Sequence, residues 1–275
     1  MSQSLTIMEL LPFALAMLTA SAIAGIMAGI FGIGGGAILV PVLYQFLTML
    51  GIDEVIRMHV CVGTSLAIII PTSLRSFTAH LKKGAVDVEL LKKWVIAVPS
   101  GVILASLVAA SISSAGLRII FALIAIMVAL RLLFNRESWR LGDDVPKNPV
   151  RAIVGFVIGF LSTLMGIGGG VLTNTFMTLF NRPMHQAVAT SSGVGVLISI
   201  PATIGFIWAG WGAENLPPFS IGYVNIVAVL LVIPVTVLIA PLGVKIAHAM
   251  EKRQLEIAFG FFLLLVAARY FYSLV

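Results

Sequence analysis

The sequence predicts an all-α integral membrane protein made of two inverted-topology repeats. Its composition, a repeated glycine pentapeptide and the distribution of its basic residues predict this class. Of the 275 residues, 60% are hydrophobic and only 10% are charged, and the mean hydropathy is +1.11. A soluble domain carries about 25% charged residues, so this chain has too few charges to cover a soluble surface. The net charge of +6 does not indicate nucleic-acid binding, because the basic residues lie in short loops between apolar runs.

Long apolar runs mark the expected membrane spans, since a helix needs about 20 residues to cross the hydrocarbon core. Two other runs, Ala37–Leu50 and Val171–Phe180, are too short to span, and each directly follows the pentapeptide Gly-Ile-Gly-Gly-Gly. The expected spans are residues 60–79, 94–110, 117–134, 188–209, 223–244 and 255–274.

The pentapeptide occurs at Gly32–Gly36 and again at Gly166–Gly170, and the similarity between the two regions continues beyond it. Met58-His59 is matched by Met184-His185, and further matches follow in the same order along both halves. Ordered matches of this extent are not expected by chance, so we interpret the chain as two homologous repeats. The predicted units are a first repeat (1–134, with a hairpin at 11–50), a cytoplasmic linker (135–149) and a second repeat (150–275, with a hairpin at 152–180).

The basic residues predict that the two repeats have opposite orientations. The loops His80–Lys93 and Lys245–Arg253 are rich in Lys and Arg, whereas Ser111–Gly116 and Gly210–Gly222 contain neither. By the positive-inside rule, the basic loops are cytoplasmic and the other two are external. When the halves are aligned, each basic loop falls opposite a loop without basic residues. Such inverted repeats are typical of secondary transporters.

Each repeat is expected to contain a re-entrant helical hairpin with a glycine-rich tip, followed by three transmembrane helices. Opposite orientation requires each repeat to cross the membrane an odd number of times. Three long helices satisfy this requirement, so the segment ahead of them must enter and leave on one side. Its short returning arm places the tip part-way through the bilayer. Both chain termini are then external.

The glycine pentapeptides are the first candidate binding elements. Irregular backbone within a membrane must be buried in protein or line a wet cavity, and successive amides at a helix start can bind an anion. The alternative is close packing of helices through small residues. Because identical clusters occur at symmetric breaks, we favour a substrate site. Its candidate residues are Gly32, Gly34, Gly35, Gly36, Gly166, Gly168, Gly169 and Gly170.

Hydroxyl residues follow each hairpin and form a second candidate element. Thr64 and Ser65 in the first repeat are matched by Thr190, Ser191 and Ser192 in the second. Hydroxyls can donate hydrogen bonds to an oxyanion without adding a fixed charge. The alternative is that they bond to their own helix or to a neighbouring helix.

Three ionisable residues are further candidates. His59 and His185 begin matched helices and could gate or carry protons, although a solvated histidine at the interface is the simpler interpretation. Arg75 lies within an apolar run and is a substrate-binding candidate. The alternative is that the Arg75 side chain extends along the helix and places its charge at the cytoplasmic interface.

The sequence lacks the residues and motifs that would indicate ion coupling through a buried carboxylate, nucleotide hydrolysis or metal-dependent catalysis. No Asp or Glu lies deep in a predicted span, and there is no phosphate-binding loop or metalloprotease motif. We therefore expect no metal and no cofactor. A site with backbone amides and hydroxyls but no buried acid suits a small anion.

The motifs resemble those of the sulfite exporter TauE/SafE family of bacterial inner-membrane proteins. Phe31–Gly36 with Pro41 matches the first motif of the family, and Met165–Gly170 matches the second. Thr175 stands where the second repeat would carry the counterpart of Pro41. The resemblance covers nearly the whole chain and implies a multi-pass inner-membrane protein. It also implies transport of sulfite, sulfoacetate or a similar organosulfonate.

We therefore expect a transporter, not an enzyme, that exports a small sulfur-containing anion by alternating access. An anion channel is the first alternative, and an intramembrane enzyme using Cys61 or a histidine is the second. The expected partners are a small anionic substrate and the lipid bilayer, with a homodimer allowed and no nucleic acid. The sequence does not determine which anion is transported, the direction of transport or the coupling ion.

Overall fold

The computed structural model describes residues 15, 18–19, 21–26, 36–134, 140–249 and 251–273, which are helical over most of their length. Two short strands, β1 (Ser220–Ile221) and β2 (Val224–Asn225), pair antiparallel. The helices are α1 (Gly36–Met49), α2 (Glu54–Lys82), α3 (Val88–Trp94), α4 (Ala97–Ser111), α5 (Ser114–Phe134), α6 (Val150–Met165), α7 (Gly170–Leu179), α8 (Met184–Ala209), α9 (Ile226–Ala249) and α10 (Lys252–Tyr272).

Among the described residues, four helices are long and apolar enough to cross a membrane: α2, α5, α8 and the part of α10 from Arg253 to Tyr272. Helices α3 and α4 together provide a fifth candidate span, which is bent by 45°. Helices α1 and α6 and residues Ile226–Ile239 of α9 are apolar but shorter. These observations confirm the predicted helical membrane class, while the division into two inverted repeats stays a prediction.

Local sequence signals explain where several helices begin. The side chain of Asp53 accepts a hydrogen bond from the backbone N–H of Val55 at the start of α2. Asp87 does the same for Leu90 at the start of α3. Such caps satisfy amides that have no partner within the helix. Because α2 continues to Lys82, only residues 83–87 separate it from α3, and most of the expected loop 80–93 is helical.

Two predicted spans differ in detail from the structure. The span expected at 94–110 is broken after Trp94, and Pro99 lies just beyond the break. Proline has no N–H with which to continue the hydrogen bonding of the preceding turn, which explains the bend. The span expected at 223–244 begins at Ile226, because Tyr223 lies in the turn between β1 and β2.

Helices at matched positions of the two halves pack against each other in antiparallel directions. A Cβ atom built on Gly63, near the start of α2, would lie 3.1 Å from Cβ of Phe206, near the end of α8. At the other end of this pair, Gly193 faces the ring of Phe77. Helices α5 and α10 are also antiparallel, since Arg118 near the start of α5 contacts Ser273 at the end of α10.

Small residues allow other helices to approach each other closely. Gly101 of α4 faces the backbone of Phe156 in α6, and Gly159 of α6 faces the backbone of Val98. Gly25, in the helical segment 21–26, lies similarly close to the backbone of Thr236 in α9. Contacts of this kind are typical of membrane helices, where packing rather than the hydrophobic effect holds neighbouring helices together.

Candidate functional site

The second glycine motif forms a sharp break between α6 and α7. Gly166 and Gly169 have φ angles of 68° and 73°, a region that glycine enters without strain. The N–H of Ile167 donates to the carbonyl of Ser162 at 2.9 Å and closes the end of α6. The first hydrogen bond within α7 is donated by Thr173 to Gly169. The amides of residues 170–172 therefore lie ahead of the helical hydrogen bonds, as at any helix start.

The structure brings the end of the first glycine motif against the second motif. A Cβ atom built on Gly36 would lie 2.5 Å from the carbonyl oxygen of Gly166 and 2.9 Å from Cα of Ile167. No side chain could occupy that space. The other candidate glycines of the first motif, Gly32, Gly34 and Gly35, lie outside the described residues.

Ser65 binds directly to the second motif, whereas Thr64 does not. The Ser65 hydroxyl donates a hydrogen bond of 2.8 Å to the carbonyl oxygen of Gly166. The hydroxyl oxygen of Thr64 accepts a hydrogen bond of 3.0 Å from the backbone N–H of Asn225. In the second half, Thr190 accepts a matching bond of 2.9 Å from the N–H of Asp87.

The two partners of these threonines are helix-capping residues that the sequence analysis did not single out. The side chain of Asp87 accepts from the N–H of Leu90, and the side chain of Asn225 accepts from the N–H of Ala228, both at 2.9 Å. An acidic or amide residue directly before an apolar helical run is a recognised helix-start signal. That signal could have identified both caps, but not their threonine partners.

The remaining candidate serines bond to their own helix. Ser191 donates to the carbonyl of Val188 at 2.9 Å, and Ser192 donates to the carbonyl of Ala189 at 2.6 Å. Both serines therefore follow the alternative to substrate binding, in which a hydroxyl bonds to a carbonyl of its own helix. Ser191 is buried within the helix bundle, whereas Ser192 is partly exposed.

The two candidate histidines occupy different environments. His59 is buried, and its Nε2 lies 3.1 Å from the carbonyl oxygen of Ala109 and 3.0 Å from that of Ile112. Its ring also packs on Tyr223, with ring centroids 4.8 Å apart. Burial raises the pKa of the Tyr223 phenol. His185 is exposed at the start of α8 and does not share this environment.

Arg75 is not placed with the glycine motifs. Its side chain is exposed on α2, seven residues before the end of that helix at Lys82. Seven residues of helix span about 10 Å, a distance that a long side chain can partly cover when it extends towards an interface. Within the described part of the chain, Arg75 forms no ion pair.

A small pocket lies beside the second glycine motif. It has room for about one water molecule. Ser162 and Gly169 line it on the motif side, and Ala37 of α1, Val128 of α5 and Leu263 of α10 form the opposite walls. The Ser162 hydroxyl lies 3.5 Å from the position that a Cβ atom on Gly169 would occupy. The Ser162 hydroxyl oxygen therefore lies close to Gly169, at the start of α7.

Buried polar atoms near this motif lack hydrogen-bond partners. Four such atoms in the described residues are Ser162 Oγ, Thr173 Oγ1, Asn174 Oδ1 and Ser199 Oγ. A buried polar group without a partner is costly, so these four atoms are candidates for hydrogen bonds to a bound molecule. These four atoms are not among the site residues predicted from the sequence. The signal present in the sequence is the pair Thr173-Asn174, which is separated from the second motif by Val171 and Leu172.

Among the described residues, no group of three or more His, Cys, Asp or Glu side chains is placed to hold a metal ion. Polar groups at the site are amides, hydroxyls and one amide side chain. These groups bind through hydrogen bonds and dipoles, without a fixed charge.

Comparison with known proteins gives a consistent result. Residues 17–270 match the family described as sulfite exporter TauE/SafE. A probable membrane transporter protein of Haemophilus influenzae is 30% identical over 94% of this chain and 98% of its own length. A second, from Methanocaldococcus jannaschii, is 30% identical over 86% of both chains. YunE of Bacillus subtilis, also a probable membrane transporter protein, is 26% identical over 91% of this chain and 94% of its own length.

No solved structure matches the chain. The family match covers nearly all of the sequence and both glycine motifs, and the relatives align over most of their length. This confirms the resemblance drawn from Phe31–Gly36 and Met165–Gly170. The chain is a multi-pass membrane transporter and belongs to the sulfite exporter TauE/SafE family.

Proposed function

We propose that the protein exports a small sulfur-containing anion, such as sulfite or sulfoacetate, across the bacterial inner membrane by alternating access. The observation that carries the proposal is the contact between Gly36 and the backbone of Gly166 and Ile167. It places the end of one glycine motif on the other, at a break where helix α7 begins. The substrate site is this junction.

Inverted repeats are supported by two sets of contacts. The matched helices α2 and α8 are antiparallel, and so are α5 and α10. Thr64 binds the helix-capping residue Asn225 of the other half, and Thr190 binds Asp87 in the same way. A two-fold axis in the membrane plane relates matched elements in this manner. The re-entrant hairpins and the external termini are part of the same proposal.

The chemistry of the junction suits an oxyanion. The N-terminus of α7 carries partial positive charge, and its first amides can donate to a bound oxygen. The Ser162 hydroxyl is buried, has no partner among the described residues and lines the adjacent pocket. It is therefore available as a further donor. Ser65 instead holds the Gly166 carbonyl, which positions the motif.

The tight closure of the junction supports alternating access. The adjacent pocket has room for about one water molecule, which is too small for sulfite or a sulfonate. Substrate binding therefore requires the two motifs to move apart. Export of a monovalent anion is favoured by about 2.3 kcal/mol per 100 mV of inside-negative potential, so no coupling ion is needed.

Counterflow of labelled sulfite and labelled sulfoacetate in proteoliposomes tests the proposal. We expect saturable exchange of at least one of them, absent from liposomes without protein. A folded protein, verified by a cooperative thermal transition, that exchanges no sulfur anion would refute the substrate class. Discrete single-channel current steps in a planar bilayer would instead favour an anion channel over alternating access.

A further inference from the structure

A buried arginine lies at the end of the helix bundle opposite the lysine-rich segment 82–93. Arg118, near the start of α5, is only 3% exposed. Its guanidinium donates to the carbonyl oxygen of Ser273 at 3.1 Å and to the Ser273 hydroxyl at 2.9 Å, and it forms an ion pair with Glu54. An arginine buried in a membrane protein is a candidate functional residue by default.

The two arginines in this region, Arg57 and Arg118, carry more positive charge than the single carboxylate paired with them can balance. The Arg57 guanidinium lies 5.4 Å from the ring centroid of Tyr44, and that of Arg118 lies 5.7 Å from the same centroid. Glu54 pairs with Arg118, whereas Arg57 donates only to the carbonyl of Ile52 and has no carboxylate partner in the described chain. The second nearby acid, Asp53, is exposed and caps α2. The starts of α2 and α5 add partial positive charge.

Two buried donors in the same region lack an acceptor among the described residues. One is Nε of Arg118 and the other is the hydroxyl of Tyr270, a residue that is 2% exposed. Both residues pack on Tyr44, whose ring centroid lies 5.2 Å from that of Tyr270 and 5.7 Å from the Arg118 guanidinium. A ligand that offers acceptor oxygens would satisfy both donors, which are otherwise costly to bury.

The helices that carry this region also form the walls of the pocket beside the second glycine motif. Along α1, Ala37 in the pocket wall precedes Tyr44 by seven residues. Along α10, Leu263 precedes Tyr270 by seven residues, and along α5 Val128 follows Arg118 by ten. At 1.5 Å per residue, these separations are about 10–15 Å. The same three helices therefore lead from the pocket to the arginine.

We infer that Arg118 and Tyr270 form a second anion-binding site, which holds a small oxyanion between the glycine-motif junction and the external face. The choice of a sulfur oxyanion as ligand rests on the proposed function. The positive-inside rule places this end of the bundle outside, away from Lys82–Lys93. Arg118 supplies charge and its Nε donor, and Tyr270 supplies its hydroxyl. Arg57 adds a positive charge that lowers the energy of an entering anion.

The test compares Tyr270→Phe with Tyr272→Phe. The first change removes only the buried hydroxyl and keeps the ring packed on Tyr44 and Phe121, whereas Tyr272 is 79% exposed two residues away. Sulfite flux is measured in right-side-out and inside-out membrane vesicles. We expect Tyr270→Phe to raise the half-saturating sulfite concentration about tenfold from the external face only, as for loss of a hydrogen bond to a charged ligand. Tyr272→Phe should match the wild type.

Arg118→Lys provides the second variant, because it retains the charge but not Nε or the planar arrangement of donors. We expect the same one-sided loss. Equal half-saturation of wild type and Tyr270→Phe at the external face would overturn the inference, even if sulfite is transported.

Equilibrium binding of sulfite tests the second site independently of whether the protein transports sulfite. If wild-type vesicles carry no sulfite, the proposed substrate fails, and calorimetric titration of sulfite into the purified proteins then decides the inference. Weaker binding to Tyr270→Phe than to Tyr272→Phe supports the second site. Equal binding, or none to the wild type, refutes it. The thermal midpoint without anion should be the same in both tyrosine variants, which excludes general unfolding as the cause.

Discussion

The hydroxyl oxygen of Thr64 lies 3.0 Å from the backbone nitrogen of Asn225 and accepts its hydrogen bond, although the two residues are 161 positions apart in the sequence. Asn225 is the residue that caps α9 through the N–H of Ala228. Thr190 and Asp87 repeat the arrangement at the start of α3. Each threonine thus fixes the starting point of a helix in the opposite half, and this links the two halves mechanically.

Thr64→Val and Thr190→Val should each destabilise the protein. Valine fills the same volume but leaves the N–H of Asn225 or Asp87 without its acceptor. A buried unpaired donor such as that of Asn225 costs about 1–3 kcal/mol, and the half-buried donor of Asp87 should cost less. The midpoint of thermal unfolding of the purified protein measures the effect. Thr178→Val is the matched control, because the Thr178 hydroxyl bonds only to carbonyls of its own helix. Equal midpoints for all three variants would contradict the proposed link.

Gly36→Ala should strongly reduce transport. The added methyl group would lie 2.5 Å from the carbonyl oxygen of Gly166, and a backbone atom cannot move aside as a flexible side chain can. The two motifs would then be unable to close together, so we expect sulfite counterflow to fall at least about tenfold.

The control for this variant is Gly116→Ala, where the nearest atom to an added methyl group belongs to the side chain of Ile112. Gly116 lies in α5, away from the motifs, and alanine is the better helix former. Unchanged counterflow in Gly36→Ala would show that close contact between the motifs is not part of the transport cycle.

Hydropathy predicted the helical membrane class and most helix positions, because long apolar segments have few alternatives in a bilayer. The expected span 117–134 agrees with α5, and the short run after the second glycine motif agrees with α7 to within one residue at each end. The break after Trp94 was not predicted. A proline near a helix start is tolerated or disruptive depending on its neighbours, and those neighbours are set by tertiary packing.

The candidate site was predicted less completely. The glycine motifs could be identified from the sequence because a helix break favours glycine for its local backbone conformation, and the same glycines recur at both breaks. The different roles of Thr64 and Ser65 could not be predicted, since adjacent helix positions point in different directions and only the packing of α2 decides which one meets Gly166. The contact of Arg118 with Glu54 and Ser273 joins three helices distant in sequence, and no local pattern encodes it.

His59→Ala should lower stability, whereas His185→Ala should not. His59 donates to the carbonyls that end α4 and packs on Tyr223, and its removal leaves a cavity and loses those bonds. We expect a loss of about 2–4 kcal/mol. His185 is exposed, so its replacement should change stability by less than about 0.5 kcal/mol. Thermal midpoints of the two variants check this. A pH dependence of transport that only His185→Ala removes would assign His185 a direct role in proton movement.

Ser162→Ala should weaken transport without destabilising the protein. The Ser162 hydroxyl has no partner among the described residues, so its removal breaks no hydrogen bond and relieves the cost of burying it. The thermal midpoint should therefore stay constant or rise. Without this donor at the start of α7, we expect the half-saturating sulfite concentration to increase about tenfold, the usual effect of losing one hydrogen bond to a charged ligand.

The neighbouring residue provides the control for this change. Thr163 is equally buried, but its hydroxyl donates to the carbonyl of Gly159 within α6 and is not available to a substrate. Thr163→Val should leave the half-saturating concentration unchanged. If Ser162→Ala lowers the thermal midpoint and leaves transport intact, the hydroxyl has a structural partner instead of a substrate, and the anion is held by the backbone amides of α7 alone.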